Sequence, residues 1–298
     1  MINTLNLPIF FIIGAGKAGT SSIHEYLRQH PLISLPVRKE THFFICDKNS
    51  NNFIANYEGR KLKDTIENIS EYLDEFEKKT TAIYRAEVCP SYLFYPNAPE
   101  NIQRYVPNAK IICILRNPVD RLYSNFTFAS ENKSIELFAT QSVHLPEKSD
   151  DIVDFYRWYR QGFYFEQLER YYSKFPKENI KIFLYNELLE TPELVLKQIL
   201  DFVGIPQYKF NTSLRFNISG RIRSKFLFNQ LKKFHVGTWL RKHLPFNIYQ
   251  FIRGYGEKII FRKKDEVPPE IRKKLTCLYK EDILKLQDLI DIDLYPWL

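Results

Sequence analysis

The sequence predicts an α/β fold, in which a mostly parallel β-sheet is flanked by helices and followed by a helical C-terminal part. Two observations predict it. Short apolar segments of strand length alternate with segments of helical period between residues 9 and 203, and this alternation is typical of parallel strands joined by crossover helices. The segment 110–115 is apolar after its first residue, as expected of a strand buried on both faces.

Length and composition indicate ordinary globular material, which we interpret as one domain over residues 1–298. The chain has 298 residues, of which 44% are hydrophobic and 26% charged. No apolar segment approaches the roughly 18 residues that a transmembrane helix needs, and no basic residues precede the first apolar run as they would in a signal peptide. The four cysteines are scattered without metal-ligand spacing. They predict free thiols in a cytoplasmic protein without a metal site.

The first predicted strand, 9–13, leads into a glycine-rich loop. Residues 14–19 contain three glycines and Lys17, and a hydroxyl run over 20–22 then opens a helical pattern. A buried strand that ends in glycines and continues as a helix points backbone N–H groups at one spot, which suits a phosphate group. A plain strand-to-helix turn is the alternative, but such a turn needs neither the lysine nor the hydroxyls. The loop therefore predicts a nucleotide-phosphate site.

The spacing in this loop bears on the kind of nucleotide. A Walker A motif places lysine directly after the last glycine and serine or threonine directly after lysine. Here Lys17 precedes Gly19, which disfavours an ATP or GTP site. The glycine spacing over 14–19 also matches the GxGxxG motif of dinucleotide-binding proteins, and Glu40 lies about where the ribose-binding acid of that motif would fall. A phosphate-binding kinase and an NAD(P) oxidoreductase thus stay open at this point.

The next elements follow from proline positions and apolar spacing. A second strand over 32–35 lies between two prolines, and the polar loop 37–44 follows its carboxyl end, where ligands bind in open α/β sheets. We then expect a surface helix over 64–78, a strand over 81–88, a short helix over 99–105, the strand 110–115 and a helix that begins at Pro118.

The second half continues the pattern with fewer strands. Residues 131–151 lack a clear period and predict a mobile loop near the site. Residues 151–175 predict one or two aromatic helices broken near Gly162, and 180–185 predicts a strand. A helix should run from the cap at Thr191 through Val203 and end at Gly204. The last helix is expected over 269–289.

The positive charge is concentrated in the segment 221–264. This segment has twelve Lys and Arg residues against one acid, whereas the whole chain has a formal net charge of +8. Aromatic residues are interspersed with the basic ones, so the segment suits nucleic acid, an anionic surface or an anionic cofactor. An amphipathic helical cap with solvated lysines explains the pattern equally well.

Residues that suit phosphate binding also follow a second predicted strand. Arg116 leaves the strand 110–115, and Ser124 lies two helical turns further on. The two side chains could converge on one anion, while Lys17 and its loop hold another. A nucleotide with phosphate groups at both ends of its ribose would use both sites. A surface ion pair is the alternative role for Arg116.

These motifs resemble those of the sulfotransferases. Residues 17–22 resemble their 5′-phosphosulfate loop, and 114–124 resembles their 3′-phosphate motif. Residues 38–44 are similar to a K-E-x-H-F/Y-F segment of the heparan sulfate and related bacterial branch. Residues 86–93 are similar to a G-E-x-S/T-P-x-Y-L stretch, and 217–224 resembles a C-terminal segment of bacterial members.

The resemblance implies a P-loop-like sheet and a donor, 3′-phosphoadenylyl sulfate, which leaves as 3′,5′-adenosine bisphosphate after in-line, metal-independent sulfuryl transfer. It implies Glu40 as the general base, Lys17 as the cation on the leaving group, and His42 as an aid to the base or acceptor, unless His42 merely packs beside its phenylalanines. The implied donor-binding residues are Lys17, Ala18, Gly19, Thr20, Ser21, Ser22, Arg116, Ser124, Arg221 and Arg223.

The departures from the family pattern shape the predicted acceptor. Polysaccharide-acting relatives have lysine around positions 87–90, where this chain has Val88 and Cys89. We therefore expect a small metabolite or a sugar that is sulfated on a hydroxyl or an amine. The chain starts directly at its first strand, as a soluble bacterial enzyme would. No nucleic acid partner is expected, and a homodimer is left open. The alternative functions are a nucleotide kinase, or a protein that binds nucleic acid or anionic surfaces through residues 221–264.

Overall fold

Five parallel strands form the central sheet. The computed structural model describes residues 7–47, 56–57, 60–61, 65–76, 81–129, 138–139, 153–213, 221–222, 261–262 and 266–298. The sheet strands are β1 (Phe10–Gly14), β2 (Ile33–Ser34), β3 (Tyr84–Val88), β4 (Lys110–Leu115) and β5 (Ile180–Leu184). Their order across the sheet is β2, β3, β1, β4, β5, and all neighbours are parallel. The predicted α/β fold with a parallel sheet is thus confirmed.

Helices occupy most of the connections between these strands. In chain order they are α1 (Thr20–Leu27), α2 (Phe43–Cys46), α3 (Ile69–Asp74), α4 (Ser91–Phe94), α5 (Ala98–Tyr105), α6 (Pro118–Ala129), α7 (Val153–Arg160), α8 (Tyr164–Tyr172), α9 (Tyr185–Glu190), α10 (Pro192–Val203) and α11 (Pro269–Ile290). The break between α7 and α8 falls at Gly162, as predicted. α10 ends at Gly204, which has a left-handed φ of 71°.

The strand order reverses between β1 and β4. After β1 the chain moves to β2 and β3 on one side of the sheet, whereas after β4 it moves to β5 on the other side. β1 and β4 are themselves paired, with Phe10 opposite Lys110 and Ile12 opposite Ile112. In open parallel sheets this reversal leaves a crevice at the carboxyl ends of the two strands, which is where ligands bind.

The strands on either side of the reversal lie in the core. All five residues of β1 are buried, and so are the last five of β4. The C-terminal helix α11 packs against α8. Its Asp282 carboxylate accepts hydrogen bonds from the backbone N–H groups of Tyr164 at 2.8 Å and Phe165 at 3.2 Å. These bonds satisfy the N-terminus of α8 and join the C-terminal part to the sheet layer.

Some boundaries differ from the predictions. The predicted helix over 64–78 is shortened to α3, because Asn68 caps it by accepting from the Glu71 N–H at 2.8 Å. The N–H of Ile66 instead donates to the Thr41 carbonyl, at 3.1 Å. The sequence also missed α9, since the apolar run of β5 continues to Tyr185. β5 ends one residue earlier because the Glu187 carboxylate accepts from the Leu184 N–H.

Two predictions fall largely outside the described residues. The loop over 131–151 is described only at 138–139. Of the basic segment, the structure describes 221–222 and 261–262, which pair as short antiparallel strands. A second short antiparallel pair joins 56–57 to 60–61. The helical interpretation of the basic segment is therefore wrong for the two stretches that the structure describes.

The structure bears on two further predictions. Among the described residues, every helix is too short or too polar to cross a bilayer. All four cysteines are free thiols, as predicted. Burial raises the pKa of Cys46 to about 12, so this thiol is not reactive near neutral pH.

Two glycines with left-handed backbones should respond differently to alanine. Gly204→Ala should cost roughly 1–2 kcal/mol of unfolding free energy, because φ is 71° but a Cβ would meet open space. Gly19→Ala should cost about 1–3 kcal/mol more, since φ is 84° and its Cβ would lie 2.6 Å from the Leu188 Cδ2. Urea titrations of both variants measure the difference. Equal losses would show that Leu188 moves aside at no cost.

Candidate active site

A cavity of about 570 Å³ opens at the carboxyl edge of the sheet. Four of the five strands deliver residues to it directly after they end. These are Ala15, Gly16 and Lys17 after β1, Pro90 and Ser91 after β3, Arg116 after β4, and Tyr185 after β5. The cavity therefore occupies the crevice that the strand order predicts.

The glycine-rich loop forms one wall of this cavity. Gly19 has a left-handed φ of 84°, which glycine adopts without strain, and α1 begins at the next residue. Within the described chain no side chain caps this helix, so the first turn can present N–H groups to a ligand. Thr20, Ser21 and Ser22 line the cavity, whereas Ala18 is buried in the core.

Lys17 is a half-buried cation in a positively charged environment. Its Nζ lies 3.6 Å from the centroid of the exposed Phe128 ring. Burial is the main cause that lowers the pKa of Lys17 to about 8, and the charges of Arg116 and Lys39 lower it further, while Glu40 opposes the shift. A bound anion would offset both effects, because an opposite charge nearby favours the protonated form of the lysine. The electrostatics thus favour a negatively charged ligand at this position.

Arg116 joins the loop after β4 to the loop after β1. Its Nη1 donates to the Lys17 carbonyl at 3.0 Å, and its guanidinium lies 4.6 Å from the centroid of the Tyr185 ring. The Tyr164 hydroxyl donates to the Arg116 carbonyl at 2.9 Å. The structure therefore brings Lys17 and Arg116 to one cavity and fixes the backbone of both.

Ser124 is not among the residues that line the cavity. Its side chain is fully buried, and the α6 residues that line the cavity are Arg121, Asn125 and Phe128. The spacing of these three places them on one face of the helix, and Ser124 lies at the edge of that face. The convergence of Ser124 and Arg116 on one anion therefore stays a prediction.

Glu40 lies in the loop after β2 and lines the same cavity. Its side chain is 34% exposed, and its Oε1 lies 3.1 Å from the Lys39 Nζ. The same ammonium donates to the Ser21 Oγ at 2.6 Å. Lys39, which sequence reasoning did not select, thus links the proposed base to the first turn of α1.

His42 follows Glu40 by two residues and is not among the residues that line the cavity. It precedes α2 with a left-handed φ of 58°, and its Nε2 lies 3.2 Å from the Ser91 Oγ. This contact places His42 where it can help to hold the loop. Its role as an aid to the base or the acceptor stays a prediction.

Two other polar side chains, Arg121 in the cavity lining and Glu87 outside it, are deeply buried. The Arg121 guanidinium donates to the Gln161 Oε1 at 3.2 Å and to the Trp158 carbonyl. The Glu87 carboxylate accepts from three hydroxyl groups, and burial raises its pKa to about 6 although these bonds oppose the shift. Both residues lie in motifs that the sequence singled out, but nothing in those motifs indicated their partners.

The remaining predictions concern Arg221, Arg223 and metals. The structure describes only the backbone of Arg221, and Arg223 lies outside the described residues. Within the ranges that the structure describes, no three His, Cys, Asp or Glu side chains are grouped as metal ligands would be.

Comparison with known proteins gives consistent matches. Residues 7–287 match the family model of the sulfotransferase domain. The chain is 26% identical over 233 residues to bifunctional heparan sulfate N-deacetylase/N-sulfotransferase 1 of Caenorhabditis briggsae, covering 72% of this chain and 24% of that protein. It is 27% identical over 266 residues to heparan sulfate glucosamine 3-O-sulfotransferase 5 of Mus musculus, covering 81% and 70%.

A solved structure agrees with these matches along the whole chain. The crystal structure of a sulfotransferase from Alicyclobacillus acidocaldarius is similar to this chain with a TM-score of 0.69 and 26% identity, covering 98% of both chains. The shared fold confirms the P-loop-like sheet. The matches support sulfuryl transfer and do not support the nucleotide kinase considered from the sequence. The chain belongs to the sulfotransferase family.

Proposed function

We propose that this protein transfers a sulfuryl group from 3′-phosphoadenylyl sulfate to a hydroxyl, or an amine, of a small metabolite or sugar. One observation carries the proposal. Lys17, Arg116 and Glu40 come from three different strand ends and line a single cavity. Two cations beside one carboxylate suit an anionic donor together with an acceptor that must lose a proton.

The described residues fit the donor. The glycine-rich loop and the start of α1 would hold the 5′-phosphosulfate, and Arg116 would hold the 3′-phosphate. The guanidinium of Arg116 lies over Tyr185, and Tyr185 lines the cavity together with Leu188 and Leu189. These side chains offer an apolar and aromatic surface for the nucleoside. The lowered pKa of Lys17 supports the same placement, because a bound anion would favour the protonated amine that burial and the neighbouring cations disfavour.

Sulfuryl transfer requires placement and charge stabilisation, as phosphoryl transfer does. The bond from sulfur to the bridging oxygen of the donor breaks, and a bond from sulfur to the acceptor atom forms. Lys17 stabilises the charge that grows on the bridging oxygen. Glu40 accepts the proton from the acceptor. Lys39 holds the Glu40 carboxylate through the 3.1 Å ion pair.

The rest of the cavity supports a small polar acceptor. Its lining includes the amides Asn125, Gln161 and Gln167 and the rings of Phe94 and Phe128. Amide groups and aromatic faces are suited to the hydroxyls and the ring of a sugar. Val88 and Cys89, which stand where polysaccharide-acting relatives have lysine, are both buried. We therefore propose a small acceptor in preference to a polyanionic glycan.

The location and origin of the protein stay proposals. We propose a bacterial enzyme, supported by its similarity to the Alicyclobacillus acidocaldarius structure. We also propose that it is cytoplasmic and needs no metal. Transfer that continues in EDTA would support metal independence. The homodimer that the sequence left open has no support among the described residues, and we do not propose it.

The first prediction concerns Glu40. Glu40→Gln should lower kcat about 10²- to 10⁴-fold, because the amide cannot accept the acceptor proton. The dissociation constant of 3′,5′-adenosine bisphosphate should change less than about threefold, since the carboxylate does not bind phosphate. Transfer of [³⁵S]sulfuryl groups to glucosamine and N-acetylglucosamine, together with calorimetry, measures both quantities.

The two sugars distinguish the acceptor atoms. Transfer to both would indicate a hydroxyl acceptor, and transfer to glucosamine alone would indicate the amine. Glu281→Gln is the matched control, because Glu281 is a well-exposed carboxylate on α11, paired with Lys285. Wild-type kcat in Glu40→Gln would rule out the general-base assignment. Tighter binding of ATP or NADPH than of the bisphosphate would rule out the donor.

The second prediction concerns the pH dependence of donor binding. Lys17 is protonated below its pKa of about 8 and loses its charge as the pH rises through this value. The affinity for 3′,5′-adenosine bisphosphate should therefore fall by up to about tenfold per pH unit above pH 8. Lys17→Arg stays charged because guanidinium has a pKa above about 12, so its affinity should be flat. Calorimetry from pH 7 to 9.5 tests this, and parallel slopes in both proteins would contradict it.

A further inference from the structure

The carboxylate of Glu87 lies beneath the loop that carries Glu40. Glu87 is fully buried at the end of β3 and accepts three hydroxyl hydrogen bonds. Thr41 Oγ1 donates at 2.5 Å and Tyr92 Oη at 2.9 Å to one carboxylate oxygen, and Tyr72 Oη donates at 2.7 Å to the other. A buried carboxylate is costly without such partners. Its partners here come from three separate parts of the chain.

Thr41 is the partner that belongs to the proposed active site. It stands between Glu40 and His42, whose φ values of 63° and 58° are both left-handed. Non-glycine residues seldom adopt this conformation, and it persists where the surrounding structure holds it. The Thr41 side chain is fully buried, while Glu40 lines the cavity. The hydrogen bond to Glu87 thus holds Thr41, the residue between the two left-handed positions.

The same segment of β3 and α4 holds the loop at further points. The Tyr92 hydroxyl lies 3.3 Å from the Thr41 Oγ1 and accepts from the Phe44 N–H at 3.4 Å. Ser91 Oγ lies 3.2 Å from His42 Nε2. The motif 86–93, which the donor and base assignments do not use, therefore contacts the Glu40 loop through a layer of buried polar groups.

We propose that Glu87 is a positioning residue for sulfuryl transfer, acting through its hydrogen bond to Thr41 to hold the Glu40 carboxylate towards the cavity. This inference rests on the proposed function, because it assigns Glu40 the role of base. It extends that function by giving Glu87 and the buried hydroxyls of Thr41 and Tyr92 a task in the reaction. Glu87 itself contacts neither donor nor acceptor.

The structure provides a matched pair of variants for the test. Thr41→Val and Tyr72→Phe each remove one hydroxyl donor to Glu87 and keep the shape of the side chain. Thr41 is adjacent to Glu40, whereas Tyr72 lies on α3 and binds the other carboxylate oxygen. A merely structural role for Glu87 predicts similar effects of both variants. A positioning role predicts that only Thr41→Val disturbs the site, and that Thr41→Ser restores it.

Three measurements on the full chain decide the matter. Hydrogen exchange of the peptide over 40–46 should quicken at least tenfold in Thr41→Val and less than twofold in Tyr72→Phe and Thr41→Ser. The kcat for sulfuryl transfer to N-acetylglucosamine or glucosamine should fall at least tenfold in Thr41→Val alone. Calorimetric binding of 3′,5′-adenosine bisphosphate should stay within threefold in every variant, because the donor residues are untouched.

The outcomes separate this proposal from the proposed function. Unchanged exchange over 40–46 in Thr41→Val overturns the anchoring by Glu87, whatever the activity. Quickened exchange with unchanged kcat overturns the role in catalysis. Equal loss of kcat in Thr41→Val and Tyr72→Phe also overturns the positioning role, because such a loss would reflect reduced stability alone. A wild-type protein that neither binds the bisphosphate nor transfers sulfate refutes the proposed function, while the exchange data still decide the anchoring.

Discussion

The site depends on the reversal of strand order between β1 and β4 in a fully parallel sheet. Parallel pairing brings the carboxyl ends of all five strands to one edge of the sheet. Because the connections after β1 and β4 run to opposite sides, a cavity remains between them at this edge. The hydrogen bond from the Arg116 guanidinium to the Lys17 carbonyl then fixes the two loops relative to each other. Two residues 99 positions apart in the chain thereby line one cavity.

The cavity concentrates positive charge that its own structure does not neutralise fully. Lys17, Lys39 and Arg116 face a single described carboxylate of the lining, that of Glu40. Burial and mutual repulsion lower the pKa of Lys17, so the site is electrostatically unfavourable when it holds no anion. An anionic donor removes this cost. The repulsion in the unliganded site thus becomes a source of donor affinity, and the ion pair of Glu40 with Lys39 keeps the carboxylate near the same charges.

The sequence predicted those features that depend on local pattern. The apolar runs of β1 and β4 identified the buried strands, and Lys17 and Arg116 were found because each follows such a run. The sequence pattern did not predict contacts between residues that are distant in the chain. The bond from Tyr72 to Glu87 spans two elements whose pattern shows only apolar spacing. The position of each side chain around helix α6 likewise could not be taken from the motif, and it is Asn125 that lines the cavity, whereas Ser124 does not.

The polar layer beneath the Glu40 loop shows why a buried carboxylate is useful here. An apolar residue at position 87 would avoid the desolvation that raises the pKa of Glu87 to about 6. It would also leave the hydroxyls of Thr41, Tyr72 and Tyr92 without their acceptor, so the loop would lose the bond that orients Thr41. Apolar packing is non-directional and does not select one backbone rotation over another. Hydrogen bonds do, and the left-handed conformations of Glu40 and His42 require such a directional constraint.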